Sequence, residues 1–231
     1  MGLRDGFPIA LGYFAVSFGF GILAISYGLS WYEALFISMF NLTSAGQLAA
    51  VPLLATGGSL FELAATQVVI NSRYALMSVA LSQRLGKSVK FIDRFPIGFA
   101  NTDENFAVAI GKGQPLGRKY LYGLILTPYF GWTLGTLIGA LAGNILPELV
   151  VTALSVSFYA MFIAIVVPLA KKSVPVLLCA LSSVGVSCLF AYAPGFNKVP
   201  SGFVIVIAAV VVSSFFALVA PISDEKEEDT V

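Results

Sequence analysis

The sequence of 231 residues contains no histidine, only two cysteines and only 11% charged residues. The missing histidine excludes imidazole metal sites, histidine general bases and histidine-containing catalytic triads. Cys179 and Cys188 are nine residues apart in one apolar stretch. On a helix this spacing separates them by about 13 Å, which excludes a disulfide between them and a zinc-ribbon or disulfide scaffold. The few Lys and Arg residues form no basic stripe with interleaved aromatics, so no nucleic-acid partner is expected.

Apolar residues are what the chain has in excess, at 58%. An average soluble chain is about half apolar and about a quarter charged, so this composition is typical of a membrane protein. A transmembrane helix needs about 20 apolar residues, and seven stretches reach that length. We therefore predict an all-α polytopic membrane protein with about seven transmembrane helices, at roughly 7–28, 34–56, 61–83, 120–142, 149–170, 174–194 and 203–221.

The distribution of Lys and Arg predicts the orientation of these spans in the lipid bilayer. Seven basic residues lie in the segment 84–119, and Lys171-Lys172 falls on the same side if there are seven spans. Because cytoplasmic loops carry an excess of Lys and Arg, this side is expected to be cytoplasmic and the N-terminus external. In an alternative with eight spans, 95–110 passes through the membrane as an extra span, which places Arg84–Arg94 and Lys112–Lys119 on opposite sides and reverses the orientation of the N-terminal half.

An internal repeat appears when the chain is aligned with itself at an offset of 116 residues. Tyr13-Phe14 then aligns with Tyr129-Phe130, and Val51-Pro52-Leu53 aligns with Val167-Pro168-Leu169. Each half contains three spans, so seven spans would place the halves in opposite orientations. Inverted repeats with interrupted helices are typical of secondary transporters, whose substrate sites lie near the membrane midplane.

These observations predict one transmembrane domain over residues 1–223. Its parts are repeat one (about 7–83), a cytoplasmic or re-entrant linker (84–119), repeat two (about 120–194) and an extra span (203–221), followed by an acidic tail at 224–231.

The third predicted span contains Asn71-Ser72-Arg73 at its centre. Placing an ionisable side chain in the middle of a membrane span costs free energy and indicates a functional site. We therefore favour a functional role for Arg73 over a purely structural one. Asn71 and Arg73 are two residues apart and would face apart by about 200° on a regular helix. The two side chains can therefore reach one site only if the helix is distorted there.

Two further polar segments interrupt apolar stretches. In the second span, residues 41–47 include Ser44 and Gln47, which share a helix face and either line a cavity or form interhelical hydrogen bonds. Asp103 and Glu104 follow Asn101 and Thr102, either of which is a candidate helix N-cap. These two acids either stabilise a helix N-terminus or take a proton or a substrate ammonium group.

Three motifs together resemble the AzlC family: SAGQ at Ser44–Gln47, NSR at Asn71–Arg73 followed by Tyr74, and TDENFA at Thr102–Ala107. Their order and spacing are similar to those of that family over residues 4–220. Three details differ: no spacer separates Gly46 from Gln47, Ser72 replaces the usual Leu, and Tyr74 replaces the usual His. The family is the large subunit of bacterial branched-chain amino acid exporters.

The resemblance implies export of valine, leucine or isoleucine across the bacterial plasma membrane, with a small hydrophobic AzlD-like membrane protein as partner. The sequence contains no phosphate-binding glycine loop, so ATP is not expected to drive the transport, and neither an enzymatic activity nor a cofactor is expected. In our hypothesis Arg73 binds the substrate carboxylate, while Asp103 or Glu104, with Asn71 and the Ser44–Gln47 segment, receives the ammonium group. The alternative is a channel, or a structural subunit, for small apolar solutes.

Overall fold

The computed structural model describes residues 1–112, 115–143, 145–147, 149, 163, 166–168, 170–171, 173–196 and 198–220. Within these residues the protein is helical and has no β-strand, apart from one isolated bridge between Leu85 and Leu116. The all-α prediction is confirmed. The longer helical elements of the described residues are α1 Gly2–Ser26, α2 Trp31–Phe40, α3 Ser44–Ala55, α4 Leu60–Ser82, α5 Arg94–Phe99, α6 Asp103–Ile110, α7 Arg118–Gly143, α8 Val174–Tyr192 and α9 Ser201–Val219.

Four of these helices, α1, α7, α8 and α9, are long and apolar enough to cross a membrane. Helix α4 is also long, at 23 residues, but carries the polar segment around Arg73 in its middle. The predicted span 34–56 is divided into α2 and α3, and most of the predicted span 149–170 falls outside the described residues, as does the acidic tail. The count of seven spans is therefore not confirmed.

The described residues belong to two compact units. The first comprises Met1–Gly57 and Ile70–Met161, and the second comprises Gly58–Val69 and Phe162–Val231. In the second unit the buried Glu62 carboxylate accepts a hydrogen bond from the Gly202 amide at 2.7 Å. A carboxylate at the N-terminus of α9 is favourable because it offsets the positive end of the helix dipole. The candidate site lies in the first unit.

Helices α1 and α7 pack in parallel through their glycines. Gly2 lies against Tyr120, and Gly139 lies against Phe18, so the contacts advance in the same direction along both helices. A Cβ atom added at either glycine would overlap backbone atoms of the other helix. The stripe of small residues therefore serves close internal helix packing, as it commonly does in membrane proteins.

This parallel packing also bears on the predicted repeat. Two halves inverted at an offset of 116 residues would make α1 and α7 antiparallel, which is not what the glycine contacts show. The inverted repeat is thus not confirmed in that register.

The N-terminus of α1 lies at the same end of the first unit as the basic segment 84–119. The Asp5 carboxylate accepts the Lys112 ammonium at 2.8 Å and the Tyr120 hydroxyl at 3.0 Å. The expectation that the N-terminus and this segment lie on opposite sides of the membrane is therefore wrong. The physical reason is that the chain between them includes a hairpin, which does not change sides.

Helices α2 and α3 form this hairpin. The start of α2, at Tyr32 and Glu33, and the end of α3, at Leu54 and Ala55, line one shared pocket. Near the other end of the hairpin Gln47 contacts Ser38. The stretch 34–56 therefore enters the first unit from one end and returns to that same end.

Helices α5 and α6 form a second hairpin, which enters from the opposite end. Asp93, just before α5, contacts Arg118 at the start of α7, and Lys112, just after α6, contacts Asp5 at the start of α1. Both ends of the segment 94–110 thus lie beside the N-termini of α1 and α7. The contacts therefore do not support 95–110 as an eighth span, and a re-entrant linker stays a prediction.

Asp93, directly before α5, stabilises the start of the second hairpin through contacts with three groups. Burial alone would raise the pKa of this carboxyl, but the Lys90 amide, the Tyr122 hydroxyl and the Arg118 guanidinium contact it and hold its pKa below the ordinary value. A lowered pKa stabilises the fold above the carboxyl's ordinary value near 3.8, and this contribution disappears as the pH falls through the lowered pKa.

We expect Asp93→Asn to lower the thermal unfolding temperature of the purified protein by several degrees at pH 7. The difference from the wild type should be the same at pH 7 and pH 5 and should shrink as the pH falls below about 3.8, where the unfolded carboxyl takes up a proton. It should vanish only below the lowered native pKa, where folded wild-type Asp93 is also neutral. Unfolding followed by circular dichroism at pH 7, 5 and 3 measures it. An unchanged difference at all three pH values would show that the carboxylate charge contributes nothing.

Candidate functional site

The break between α2 and α3 is produced by local side-chain hydrogen bonds. Asn41 Oδ1 accepts the Thr43 hydroxyl at 2.7 Å and the Thr43 amide at 3.3 Å. A bond of this kind offers the backbone an alternative to the helix and so interrupts it. Thr43 then occupies the N-cap position of α3, and Ser44 is its first residue. The predicted interruption is confirmed.

The break between α5 and α6 has a similar construction. Thr102 occupies the N-cap position of α6, with Asp103 and Glu104 in the first turn. Asn105 Nδ2 donates to the Ala100 carbonyl at 2.8 Å, and Asn101 Nδ2 donates to Ser78 Oγ on α4 at 3.2 Å. Three of these side chains, those of Asn101, Thr102 and Asn105, are almost completely buried. The predicted N-cap position and the placement of the acids are confirmed.

Arg73 of α4 forms an ion pair with Asp103 of α6. Its Nη1 atom lies 2.6 Å from Asp103 Oδ2, and its Nη2 atom lies 3.2 Å from the Tyr74 hydroxyl. Arg73 is nine residues from the end of α4, about 14 Å along the helix. The side chains of Arg73 and Asp103 are 47% and 43% exposed, respectively. The pair is therefore accessible to a small ligand.

Glu104 faces a different helix from Asp103. It accepts a hydrogen bond from the Tyr13 hydroxyl of α1. The Tyr13 ring packs edge-on against Trp132 of α7, with ring centroids 5.2 Å apart. Trp132 is 2% exposed, and its indole N–H has no hydrogen-bond partner among the described residues. Two adjacent carboxylates thus join α6 to α4 and to α1.

Gln47 belongs to a buried network rather than to the ion pair. Its amide donates to Ser38 Oγ at 3.0 Å, and Ser38 shares a hydrogen bond of 2.7 Å with Thr136 of α7. All three side chains are completely buried. Of the two alternatives for this segment, interhelical hydrogen bonding therefore describes Gln47. Ser44 is partly buried at the first position of α3, one turn before Gln47.

Asn71 is not brought to the Arg73–Asp103 pair. Helix α4 is regular from Leu60 to Ser82, so the distortion that would turn Asn71 and Arg73 to one side does not occur. Their directions on the helix differ by about 200°. Asn71 and Arg73 therefore lie on different faces of α4, and a substrate-binding role for Asn71 stays a prediction.

The sequence reasoning missed the aromatic and hydroxyl partners of the site. Tyr13 was noticed only as part of the repeat, and Ser38, Thr136 and Trp132 were not noticed at all. A usable signal existed for Tyr13, because a tyrosine inside an apolar span needs a partner for its hydroxyl. Ser38 and Thr136 carried no such signal, since a helix can satisfy either hydroxyl with its own carbonyls.

Comparisons with known proteins place the chain in a family. The profile of the AzlC family, described as AzlC protein, matches residues 8–146. An "uncharacterized membrane protein" of Archaeoglobus fulgidus is 34% identical over 169 residues, which are 72% of this chain and 74% of that protein. The "inner membrane protein YgaZ" of Escherichia coli is 30% identical over 147 residues, or 62% of this chain. An "uncharacterized membrane protein" of Helicobacter pylori is 30% identical over 149 residues, or 61% of this chain.

The matched region covers 60% of the Escherichia coli protein and 64% of the Helicobacter pylori protein, which is less than two thirds of either. No solved structure matches. The family match covers more than half of the chain, and it includes both broken hairpins and the Arg73–Asp103 pair. The chain is a membrane protein of the AzlC family.

Proposed function

We propose that this protein is a secondary transporter that exports branched-chain amino acids of the valine, leucine and isoleucine type. The observation that carries the proposal is the Arg73–Asp103 ion pair, which joins the middle of α4 to the first turn of α6 and is about half exposed. A charged side chain inside the bilayer costs free energy, and such residues occur mainly along the pathways of substrates or ions. The structural motifs and the family membership support transport over a purely structural subunit.

A zwitterionic amino acid complements this pair without adding net charge. Its carboxylate can replace Asp103 at the Arg73 guanidinium, which binds carboxylates through two parallel hydrogen bonds. Its ammonium group can in turn pair with Asp103. One ion pair becomes two, so the substrate leaves neither Arg73 nor Asp103 uncompensated.

The two hairpins support alternating access to that site. The α2–α3 hairpin enters from one end of the first unit and the α5–α6 hairpin enters from the other. Discontinuous helices that end near the midplane are a recurrent means of building transporter sites. In the proposal, each hairpin closes the site on its own side of the membrane.

The charges at the two ends of the first unit support a cytoplasmic location for the N-terminus. Arg4 and the seven basic residues of 84–119 lie at one end, whereas residues 27–33 and 56–57 at the other contain no Lys or Arg. By the positive-inside rule the basic end faces the cytoplasm. We propose the bacterial plasma membrane as the location, and a small hydrophobic AzlD-like membrane protein as the partner.

A counterflow experiment tests the proposed function. Proteoliposomes containing the purified protein, with and without a co-expressed partner, are loaded with unlabelled valine and placed in trace labelled valine. We expect saturable accumulation of label, stimulated by the internal valine and absent with internal lysine. The recovered valine should be chemically unchanged, because no enzymatic step is proposed. Uptake without stimulation by internal valine would instead favour a channel.

A further inference from the structure

A small cavity lies between the last turn of α4 and helix α5, at the basic end of the first unit. Its volume is about 110 Å³. Each helix contributes one face to it, with residues spaced three and four apart: Ser78, Leu81 and Ser82 of α4, and Arg94, Ile97 and Gly98 of α5. The described residues that line the cavity include neither Arg73 nor Asp103, so the cavity is separate from the ion pair.

Arg94 brings to this cavity a positive charge that no acidic residue balances in the part of the chain that the structure describes. No described carboxylate lies within 4.0 Å of its guanidinium. The adjacent Asp93 is completely buried and pairs instead with Arg118, at 2.9 Å. A guanidinium binds phosphate or carboxylate oxygens through two parallel hydrogen bonds, so the cavity is suited to an anion.

Ser78 supplies a hydroxyl to the same cavity. Its Oγ atom accepts a hydrogen bond from Asn101 Nδ2 at 3.2 Å, which leaves the hydroxyl proton for another acceptor. The Ser82 hydroxyl, in contrast, donates to the Val79 carbonyl at 2.6 Å. The cavity therefore offers an anion one guanidinium and one hydroxyl donor, with no acid among its described lining residues.

The size of the cavity decides what kind of anion fits. Sites for complete small molecules occupy about 300–1,000 Å³, so a cavity of about 110 Å³ encloses only a group such as a phosphate. Next to the lining residues of α5, three phenylalanines spaced four residues apart are largely exposed: Phe91, Phe95 and Phe99. The rings of Phe91 and Phe95 contact each other, with centroids 5.5 Å apart. An anionic group inside the cavity with an apolar remainder on these rings is the chemistry of a phospholipid.

The surrounding charges distinguish an anionic phospholipid from a zwitterionic one. Residues 84–94 contain four basic residues, Arg84, Lys87, Lys90 and Arg94, and a single acid, the buried Asp93. All four basic residues are exposed. Clusters of about four to eight basic residues beside a membrane helix attract anionic lipids, whereas the same charges repel the ammonium group of a zwitterionic headgroup.

We propose that the cavity between α4 and α5 binds the phosphate group of one anionic phospholipid, of the phosphatidylglycerol type. Arg94 pairs with the phosphate, Ser78 donates a hydrogen bond to it, and the three exposed phenylalanines contact the acyl chains. Because the phosphate contacts residues of both helices, the lipid stabilises the packing of α5, and with it the second hairpin, against α4.

Thermal unfolding in detergent tests this proposal without any transport assay, so the result does not depend on the proposed function. The full-length protein in an uncharged detergent is titrated with dioleoyl phosphatidylglycerol, or with dioleoyl phosphatidylcholine as the lipid with matched chains. We expect a saturable rise in the unfolding temperature with phosphatidylglycerol, because a ligand that binds the folded state stabilises it. Phosphatidylcholine should give no saturable rise.

Two arginine variants decide the assignment. Arg94→Gln should weaken phosphatidylglycerol binding at least about tenfold, the usual effect of losing hydrogen bonds to a charged group. Without lipid it should unfold at the wild-type temperature, since Arg94 has no described ion-pair partner. Arg84→Gln is the matched control, because it removes the same charge from the same exposed segment at a residue that does not line the cavity. This variant should respond to the lipid like the wild type.

Three results would overturn the proposal. Equal responses to the two lipids would mean that the headgroup charge is not recognised. Equal losses in Arg94→Gln and Arg84→Gln would mean that the whole basic segment attracts the lipid without a defined site. A rise in unfolding temperature with glycerol phosphate, which has no acyl chains, would indicate a site for a free phosphate ester.

Discussion

Gly139→Leu is expected to prevent accumulation of correctly folded protein in the membrane. Gly139 lies against the backbone of Phe18, where a Cβ atom would overlap the carbonyl oxygen. Backbone atoms cannot move aside as a flexible side chain can, so α1 and α7 would have to separate along their whole contact. Overpacking of this kind typically costs 1–3 kcal/mol, and we expect about 3 kcal/mol or more here because the obstacle is backbone.

The measurement is size-exclusion chromatography of a fluorescent fusion extracted in mild detergent, together with its thermal unfolding temperature. We expect loss of most of the monodisperse peak. Gly12→Leu is the matched control, because Gly12 is a glycine of α1, the other helix of this pair, but has open space around the position of a Cβ atom. Equal behaviour of the two variants would show that the α1–α7 contact does not limit folding.

The sequence was sufficient to predict the two interruptions but not the hairpins they produce. A stretch of 23 apolar residues such as 34–56 meets the length criterion for a span whether it is one helix or two shorter ones. The polar segment 41–47 indicated the break, and the structure shows that Asn41 and Thr43 produce it through side-chain hydrogen bonds that compete with the helix. Whether the chain then continues or turns back depends on tertiary contacts, such as that between Ser38 and Gln47.

The error in orientation follows from the same cause. A transmembrane span carries the chain to the other side of the membrane, whereas a hairpin returns it to the side from which it entered. Interpreting 34–56 as a span therefore assigned the N-terminus to the side opposite the basic loop. The two hairpins also correspond at a different offset from the 116 residues found by aligning the chain with itself. Thr43 and Thr102 occupy matching N-cap positions 59 residues apart, in hairpins that enter from opposite ends. The two hairpins have so few identical residues at this offset of 59 that the matches cannot be told from chance matches in an apolar sequence.

The partners of individual polar side chains were the least predictable part of the site. Arg73 was singled out because a charge in an apolar span requires compensation, and Asp103 was one of only two acids near membrane depth. Gln47 looked equally suitable for a ligand, yet its amide nitrogen donates to Ser38, which itself shares a hydrogen bond with Thr136. Only the packing of α2 and α7 decides which polar residue faces a cavity and which faces another helix.

Arg73→Ala is expected to reduce valine export by about 10- to 100-fold at substrate concentrations below saturation. The replaced guanidinium would otherwise bind the substrate carboxylate, and hydrogen bonds to charged groups are worth about 1.5–3 kcal/mol. Asp103→Asn should cause a comparable loss, because the ammonium group then loses its anionic partner. Initial rates of labelled valine efflux from proteoliposomes, normalised to reconstituted protein, measure both effects.

Two further variants separate a substrate role from a structural one. The exchanged pair Arg73→Asp with Asp103→Arg keeps an ion pair between α4 and α6, so it should restore folding and thermal stability. It should not restore export, because the carboxylate and ammonium ends of the substrate would meet the wrong partners. Arg4→Ala removes an exposed arginine far from the pair and should transport at the wild-type rate. Full export by the exchanged pair would mean that Arg73 and Asp103 serve the fold alone, and the substrate site would then have to lie elsewhere in the protein.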